Sequence, residues 1–168
     1  MSQLSLSLDS SLLVRDDQGR YIPATADQIL EAARYVIDQK IPRGTLFTSP
    51  ALVKDYLRTK LASFEHEVFA ALFLDSQNRL IEYVEMFRGT IDQASVYPRE
   101  VVKTALQHNA AAVIFSHNHP SGNSEPSQAD KLLTQRLKEA LALVDVRTLD
   151  HIVVGGEATT SFAERGLI

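Results

Sequence analysis

Residues 116–130 read SHNHPSGNSEPSQAD and hold two of the five histidines in the chain. His117 closes the apolar run AAAVIFSH, His119 stands two residues beyond it, and Asp130 follows after a loop. In extended backbone, side chains at i and i+2 point the same way. Both imidazoles can therefore face one ion. Asp130 falls in the first turn of the helix predicted beyond the loop, where its carboxylate can close a third position. Two imidazoles and one carboxylate form a donor set for zinc that keeps one corner open for water. Zinc brings the pKa of such a water to about 7, and a glutamate on a neighbouring strand is the natural group to move the proton. A plainer reading stands beside this one. Ser127 and Asp130 also match the Ser-x-x-Asp pattern of a capped helix, although a capping hydroxyl can still face a reaction centre.

The elements that must position these residues follow from periodicity. VFAALFLD (68–75) and AAAVIFSH (110–117) are nearly continuous apolar runs, as expected for strands covered on both faces. RLIEYVEMF (79–87) alternates like a paired strand, and DHIVVG (150–155) reads as the last one. PREVVKTALQHN (98–109) and SQADKLLTQRLKEALAL (127–143) read as helices, the second with Leu132, Leu133, Leu137, Ala140 and Leu141 inward. The Gly-, Ser- and Pro-rich stretch up to Glu125 is a loop. Upstream, SLLVRDDQGRYIP (11–23) looks like two short strands around a D-Q-G turn. TADQILEAARYVIDQ follows as a helix with a Thr25–Gln28 capping box and Ile29, Leu30, Ala33, Val36 and Ile37 on one face. A second helix starts at Ser49 with Pro50 at N1. This order predicts an α/β (α+β) sandwich, a mixed central sheet flanked by helices. Residues 1–45 are expected to form a strand pair and helix that pack on or extend the main domain, 46–168. The loop after the second buried strand lies where such folds place ligands.

Composition narrows the choices. The chain has 168 residues, 45% hydrophobic and 23% charged, an ordinary globular balance large enough for a real core. It has no cysteine, so any metal must take nitrogen and oxygen ligands. The net charge is −4, and Arg88, Arg99 and Lys103 sit among acids rather than in a basic stripe. That argues against nucleic acid as the main ligand. No apolar stretch is long enough to span a membrane, and MSQLSLSLDSS lacks the pattern of a secretion signal. The expectation is a cytoplasmic protein.

The pattern His117-x-His119-x7-Ser127-x2-Asp130 resembles the signature of JAMM (JAB/MPN-type) metalloproteases. The longer string FRGTIDQASVYPREVVKTALQHNAAAVIFSHNHPSG, with NSEPSQAD after it, resembles the RadC-like branch of that family, over residues 46–168. The resemblance implies a JAB/MPN sandwich of cytidine-deaminase-like type. It also implies one Zn2+ on His117, His119 and Asp130, and a serine, Ser127, that helps hold the oxyanion or the reacting water. A glutamate general acid/base belongs upstream on the first strand. SFEHEVFAALFLD offers Glu65 and Glu67. The family pattern places the glutamate immediately before the apolar core, which is Glu67. Glu65, on the same face by period two, is the reserve. The implied activity is that of a peptidase or isopeptidase acting on an unidentified protein or peptide.

Two departures bear on the alternatives. Asn118 stands where many eukaryotic members have Ser or Thr, and suits the RadC-like branch. The helix-hairpin-helix-like N-terminal segment of longer RadC-like proteins is not found before residue 46, which weighs against the DNA-repair role that the branch name suggests. A non-enzymatic interaction module would be expected to lack part of the ligand set, and none is missing. In HNH nucleases the named residues are spread over a hairpin and helix. Zinc nucleobase deaminases need a cysteine pair. Among the other histidines, His66 is expected to be exposed and His108 to end a helix. His151 is expected to be structural more readily than a partner of the site, and Gly155–Gly156 to make a turn. The closing SFAERGLI would cover the sheet or a partner, and oligomeric state is left open.

Overall fold

A computed structural model describes residues 12–47, 49–89 and 96–168. The stretch MSQLSLSLDSS and the TIDQAS part of the family-like string lie outside them. The chain divides into two compact units, one up to Lys40 and one from Ile41 onward.

In the first unit, β1 (Leu13–Arg15) pairs antiparallel with β2 (Tyr21–Pro23). The turn between them is organised by Asp16, whose carboxylate accepts from the backbone N–H of Gln18 and of Arg20, both at 2.9 Å. Helix α1 (Ala26–Lys40) opens on a reciprocal cap. Thr25 N–H donates to Gln28 Oε1 at 2.9 Å, and Gln28 N–H donates to Thr25 Oγ1 at 3.3 Å.

The second unit is built on one five-stranded mixed sheet, in the order β4-β3-β5-β6-β7. Its elements are α2 (Pro50–Leu61), β3 (Val68–Leu74), β4 (Leu80–Arg88), α3 (Pro98–Gln107), β5 (Ala112–Asn118), α4 (Gln128–Ala142), β6 (Arg147–Gly155) and β7 (Ala158–Ser161). β3 runs antiparallel to β4 and β5, β5 and β6 are parallel, and β7 returns antiparallel to β6. Every residue of β3 and of β5 is buried, the signature expected of their unbroken apolar runs.

Alternation assigns the two faces. Phe69, Ala71 and Phe73 of β3 with Val113 and Phe115 of β5 join Val101 and Ala105 of α3 and Leu137 and Leu141 of α4 in one core cluster. The opposite face carries α2, which packs on β5 and β6 and buries Val53, Tyr56, Leu57 and Leu61. Each large apolar side chain so buried contributes about 1.5–3 kcal/mol. This is the mixed sheet with flanking helices that the order of segments predicts. Among the described residues no helix is long and apolar enough to cross a membrane.

Two elements differ from the sequence reading. β6 begins at Arg147 rather than Asp150, because parallel pairing of Ala112 with Arg147 extends a strand whose first residues are polar. β7 is an additional strand. ATTS lacks the branched apolar run that marks a strand, but the turn after Gly155 folds it back onto β6, with Gly156 at φ 58°. Phe162 then buries itself against the ring of His151, centroids 4.8 Å apart, while the residues from Ala163 to Gly166 stay exposed.

Removing the central ring should show how much of this core depends on packing. Phe115→Ala is expected to cost about 3–5 kcal/mol in urea unfolding. Leu143→Ala, at a side chain 87% exposed, should stay within about 0.5 kcal/mol.

Candidate metal centre

The buried strand β5 carries the first candidate ligand outward and ends one residue later, at Asn118. His117 sits in register with Val153 and is 1% exposed. One residue beyond the strand, His119 N–H still donates to Val154 O at 2.8 Å. Because the extended geometry continues through it, His119 projects on the face of His117, as the i, i+2 spacing requires. Helix α4 supplies the third group. Its N-cap, Ser127, accepts from Asp130 N–H at 3.1 Å, while Asp130 Oδ2 accepts from Ser127 N–H and Ser127 Oγ–H, each at 2.7 Å. The capping box thus holds the Asp130 carboxylate at the helix N-terminus, where the exposed peptide dipoles favour its charge.

The three groups converge. His117 Nε2 and His119 Nε2 are 2.9 Å apart, and they lie 3.4 and 3.5 Å from Asp130 Oδ1 and Oδ2. All the ligand atoms fall within 4.8 Å of one another. Donors about 2.0–2.1 Å from a tetrahedral zinc are separated by about 3.3 Å, so the observed triangle fits one ion. The donor chemistry fits as well. His119 Nδ1 lies 2.7 Å from Asn123 O. A carbonyl only accepts, so the proton is on Nδ1 and Nε2 presents its lone pair to the site. His117 Nδ1 lies 2.8 Å from His151 Nε2, and His151 Nδ1 meets Thr134 Oγ1.

Electrostatics follow the geometry. Burial by itself would raise the Asp130 carboxyl, but the imidazoles of His117 and His119 beside it, with the Ser127 hydroxyl, outweigh that and hold the group far below the usual carboxylate range. His119 is raised, first by its hydrogen bond to Asp130, against the opposing effect of burial, with the Asn123 carbonyl and the charges of Asp130 and Glu67 adding to it. Burial pushes His151 well down, and the neighbouring His117 adds to that.

Glu67 lies immediately before β3, half buried, with its charge felt at His119. Its backbone is held on both sides by one amide. Asn118 Oδ1 accepts from Val68 N–H at 2.8 Å, and Asn118 Nδ2 donates to Phe64 O and His66 O at 3.3 and 3.0 Å. The same bonds correct one expectation. Glu65 and Glu67 do not share a strand face. Residues 65–66 form a bend whose neighbouring carbonyls go to Asn118 rather than to a strand partner, and Glu65 is exposed.

Sequence reasoning passed over three contributors. For His151 the sequence favours a structural place over a partner of the site, and the structure sets its Nε2 2.8 Å from His117 Nδ1. Thr134 sits one helical turn after Asp130, and that i, i+4 spacing was its only signal. Gly155, read as part of a turn, closes β6 against the ligand loop. A Cβ there would stand 2.3 Å from Ser124 N and 2.5 Å from Asn123 C, so the loop that presents the Asn123 carbonyl requires glycine beneath it.

Comparison with known proteins places these residues in context. A model of the RadC-like JAB domain matches residues 47–167. A UPF0758 protein of Vibrio cholerae is 62% identical over 139 residues, covering 83% of this chain and 87% of its own length. A UPF0758 protein of Cellvibrio japonicus is 64% identical over 138 residues, and one of Leptothrix cholodnii 61% over 140. The matched region spans only 62% and 63% of those two longer relatives.

Two measurements check the geometry. Gly155→Ala should leave the sheet folded but weaken zinc binding by about 10–100-fold, the usual effect of disturbing a ligand's partner, as read by competition with a chromophoric chelator. Wild-type zinc affinity should fall as pH drops. The proton that His119 retains to a pH above 6.5 must leave before its Nε2 can ligate. Below that raised pKa the loss approaches about tenfold per pH unit.

Proposed function

The chain belongs to the RadC-like JAB domain family, and from that membership we propose that it is a zinc-dependent hydrolase of amide bonds, a metallopeptidase or isopeptidase. The observation that carries the reading is the convergence of His117 Nε2, His119 Nε2 and an Asp130 carboxylate oxygen at the spacing of one tetrahedral ion. Zinc held by these three residues would supply a Lewis acid that polarises a carbonyl and brings the pKa of a water in its fourth position to about 7.

The protein's own groups do the rest. Glu67, held beside His119 by the Asn118 amide, takes the proton of the attacking water and passes it to the leaving nitrogen, which departs as a neutral amine. The charge of Glu67 and that of Asp130 both favour a cation at the imidazoles. Ser127 serves twice. Its oxygen caps α4 through Asp130 N–H. Its hydroxyl proton, which bonds Asp130 Oδ2, can rotate about Cβ–Oγ to meet the oxyanion of the tetrahedral intermediate, a contact worth about 2.7–4 kcal/mol where one such donor has been removed. The proposed substrate is a protein or peptide, the class implied by the JAMM-like motif, and its leaving nitrogen takes the proton that Glu67 carries.

Protein expressed with added zinc should hold close to one ion per chain by elemental analysis, and His119→Ala should lose it. Glu67→Gln should keep the metal while hydrolysis of a fluorogenic peptide library falls by about 10²–10⁴-fold. Wild-type protein that takes up no zinc would instead favour an interaction module on the same fold, and cleavage unchanged in Glu67→Gln would remove Glu67 from the mechanism.

A further inference from the structure

Behind the ligands lies a hydrogen-bonded chain with only one consistent direction. It ends on the main-chain carbonyl of Asp130, which can accept but never donate. Thr134 Oγ1 is 2.6 Å from that carbonyl, so the hydroxyl proton of Thr134 is committed to it. The same oxygen bonds His151 Nδ1 and has only lone pairs left to offer, so His151 carries its proton on Nδ1. The ring of His151 is completely buried among Phe69, Phe115 and Phe162, surroundings that keep it neutral. Its Nε2 is therefore bare and accepts from His117 Nδ1 at 2.8 Å. His117, protonated on Nδ1, in its neutral form turns an unprotonated Nε2 toward His119 and Asp130. Every proton in the chain is assigned from the carbonyl end, without reference to any ion.

We propose that Thr134 and His151 are positioning residues that lock His117 in the Nδ1–H tautomer, so that its Nε2 is ready to bind metal before metal arrives. The inference rests on the metal-centre reading and adds two residues to it, neither of which touches the ion. A loop closes at the same time. Asp130 gives its carboxylate to the ligand set and its carbonyl to the relay, so one turn of α4 controls both the third ligand and the tautomer of the first.

The tautomers can be read directly. Nitrogen-15 NMR of the histidine rings in chelator-treated wild-type protein should show protons on Nδ1 of both His117 and His151. A proton on His151 Nε2 would overturn the relay whatever the metal does. Thr134→Val removes the hydroxyl at nearly constant volume. It should lower the urea midpoint while leaving a cooperative transition, because the buried His151 nitrogen loses its partner, mix the two tautomers of His151, and weaken zinc affinity by about 10–100-fold, as loss of a ligand's partner commonly does. Thr134→Ser, which keeps the hydroxyl, should recover the affinity. Zinc binding by Thr134→Val as tight as wild type would overturn the positioning role. Wild-type protein with no affinity for zinc would sink the metal centre, while the ring spectra would still decide the relay.

Discussion

The second unit is organised around an electrostatic demand. Two imidazole lone pairs and a carboxylate face one another across about 3 Å in a place where His117 is wholly buried. Like-signed electron density brought this close, out of water, is costly unless a positive charge lies between. A proton on His119 meets the demand in part, which is why that ring is raised. A divalent cation meets it more fully. The fold holds the arrangement in place from all sides: β5 by its register with β6, α4 by its cap, and the ligand loop by its seat on Gly155.

Much of this was legible before any coordinates. Unbroken apolar runs gave β3 and β5, because a strand covered on both faces has no polar alternation to hide. His117, His119 and Asp130 followed from spacing alone, since the i, i+2 rule and a capped helix start are local geometry. Ser127 illustrates why two readings of one residue can both stand, as its oxygen caps the helix while its proton reaches the ligand. What stayed hidden depends on distant neighbours. The buried role of His151 needs β6 beside β5, and the requirement for glycine at 155 needs the loop of 122–124 folded over it. Periodicity within a segment carries neither fact. The supposed strand face of Glu65 and Glu67 failed for the same reason, because a side chain from β5 captures the carbonyls that a strand would have used.

The two faces of the sheet divide the labour. Toward α3 and α4, side chains at odd positions of β3 and β5 make an aromatic core and then, one step further along β5, reach His117, the proposed ligand. The same alternation thus serves packing and chemistry, with Phe69 and Phe115 against the ring of His151 that supports the ligand. Toward α2, the even positions of β3 stay apolar, while those of β5 turn polar at Ser116 and end on Asn118, whose amide holds the segment that carries Glu67. A change of register by one residue would exchange the two roles, which is why the pairing of β5 with both neighbours must be firm.

The Asn118 amide has a consequence for the order in which the molecule comes together. It ties the segment before β3 to the end of β5 across 50 residues of chain. Glu67 O accepts from Gly89 N–H at 2.8 Å, just past β4, so the early hairpin holds that carbonyl, and the amide from the end of β5 adds its hold on the residues to either side. The acid and the imidazoles therefore take up their mutual positions only where β3 and β5 pair, a contact that closes a long loop of chain.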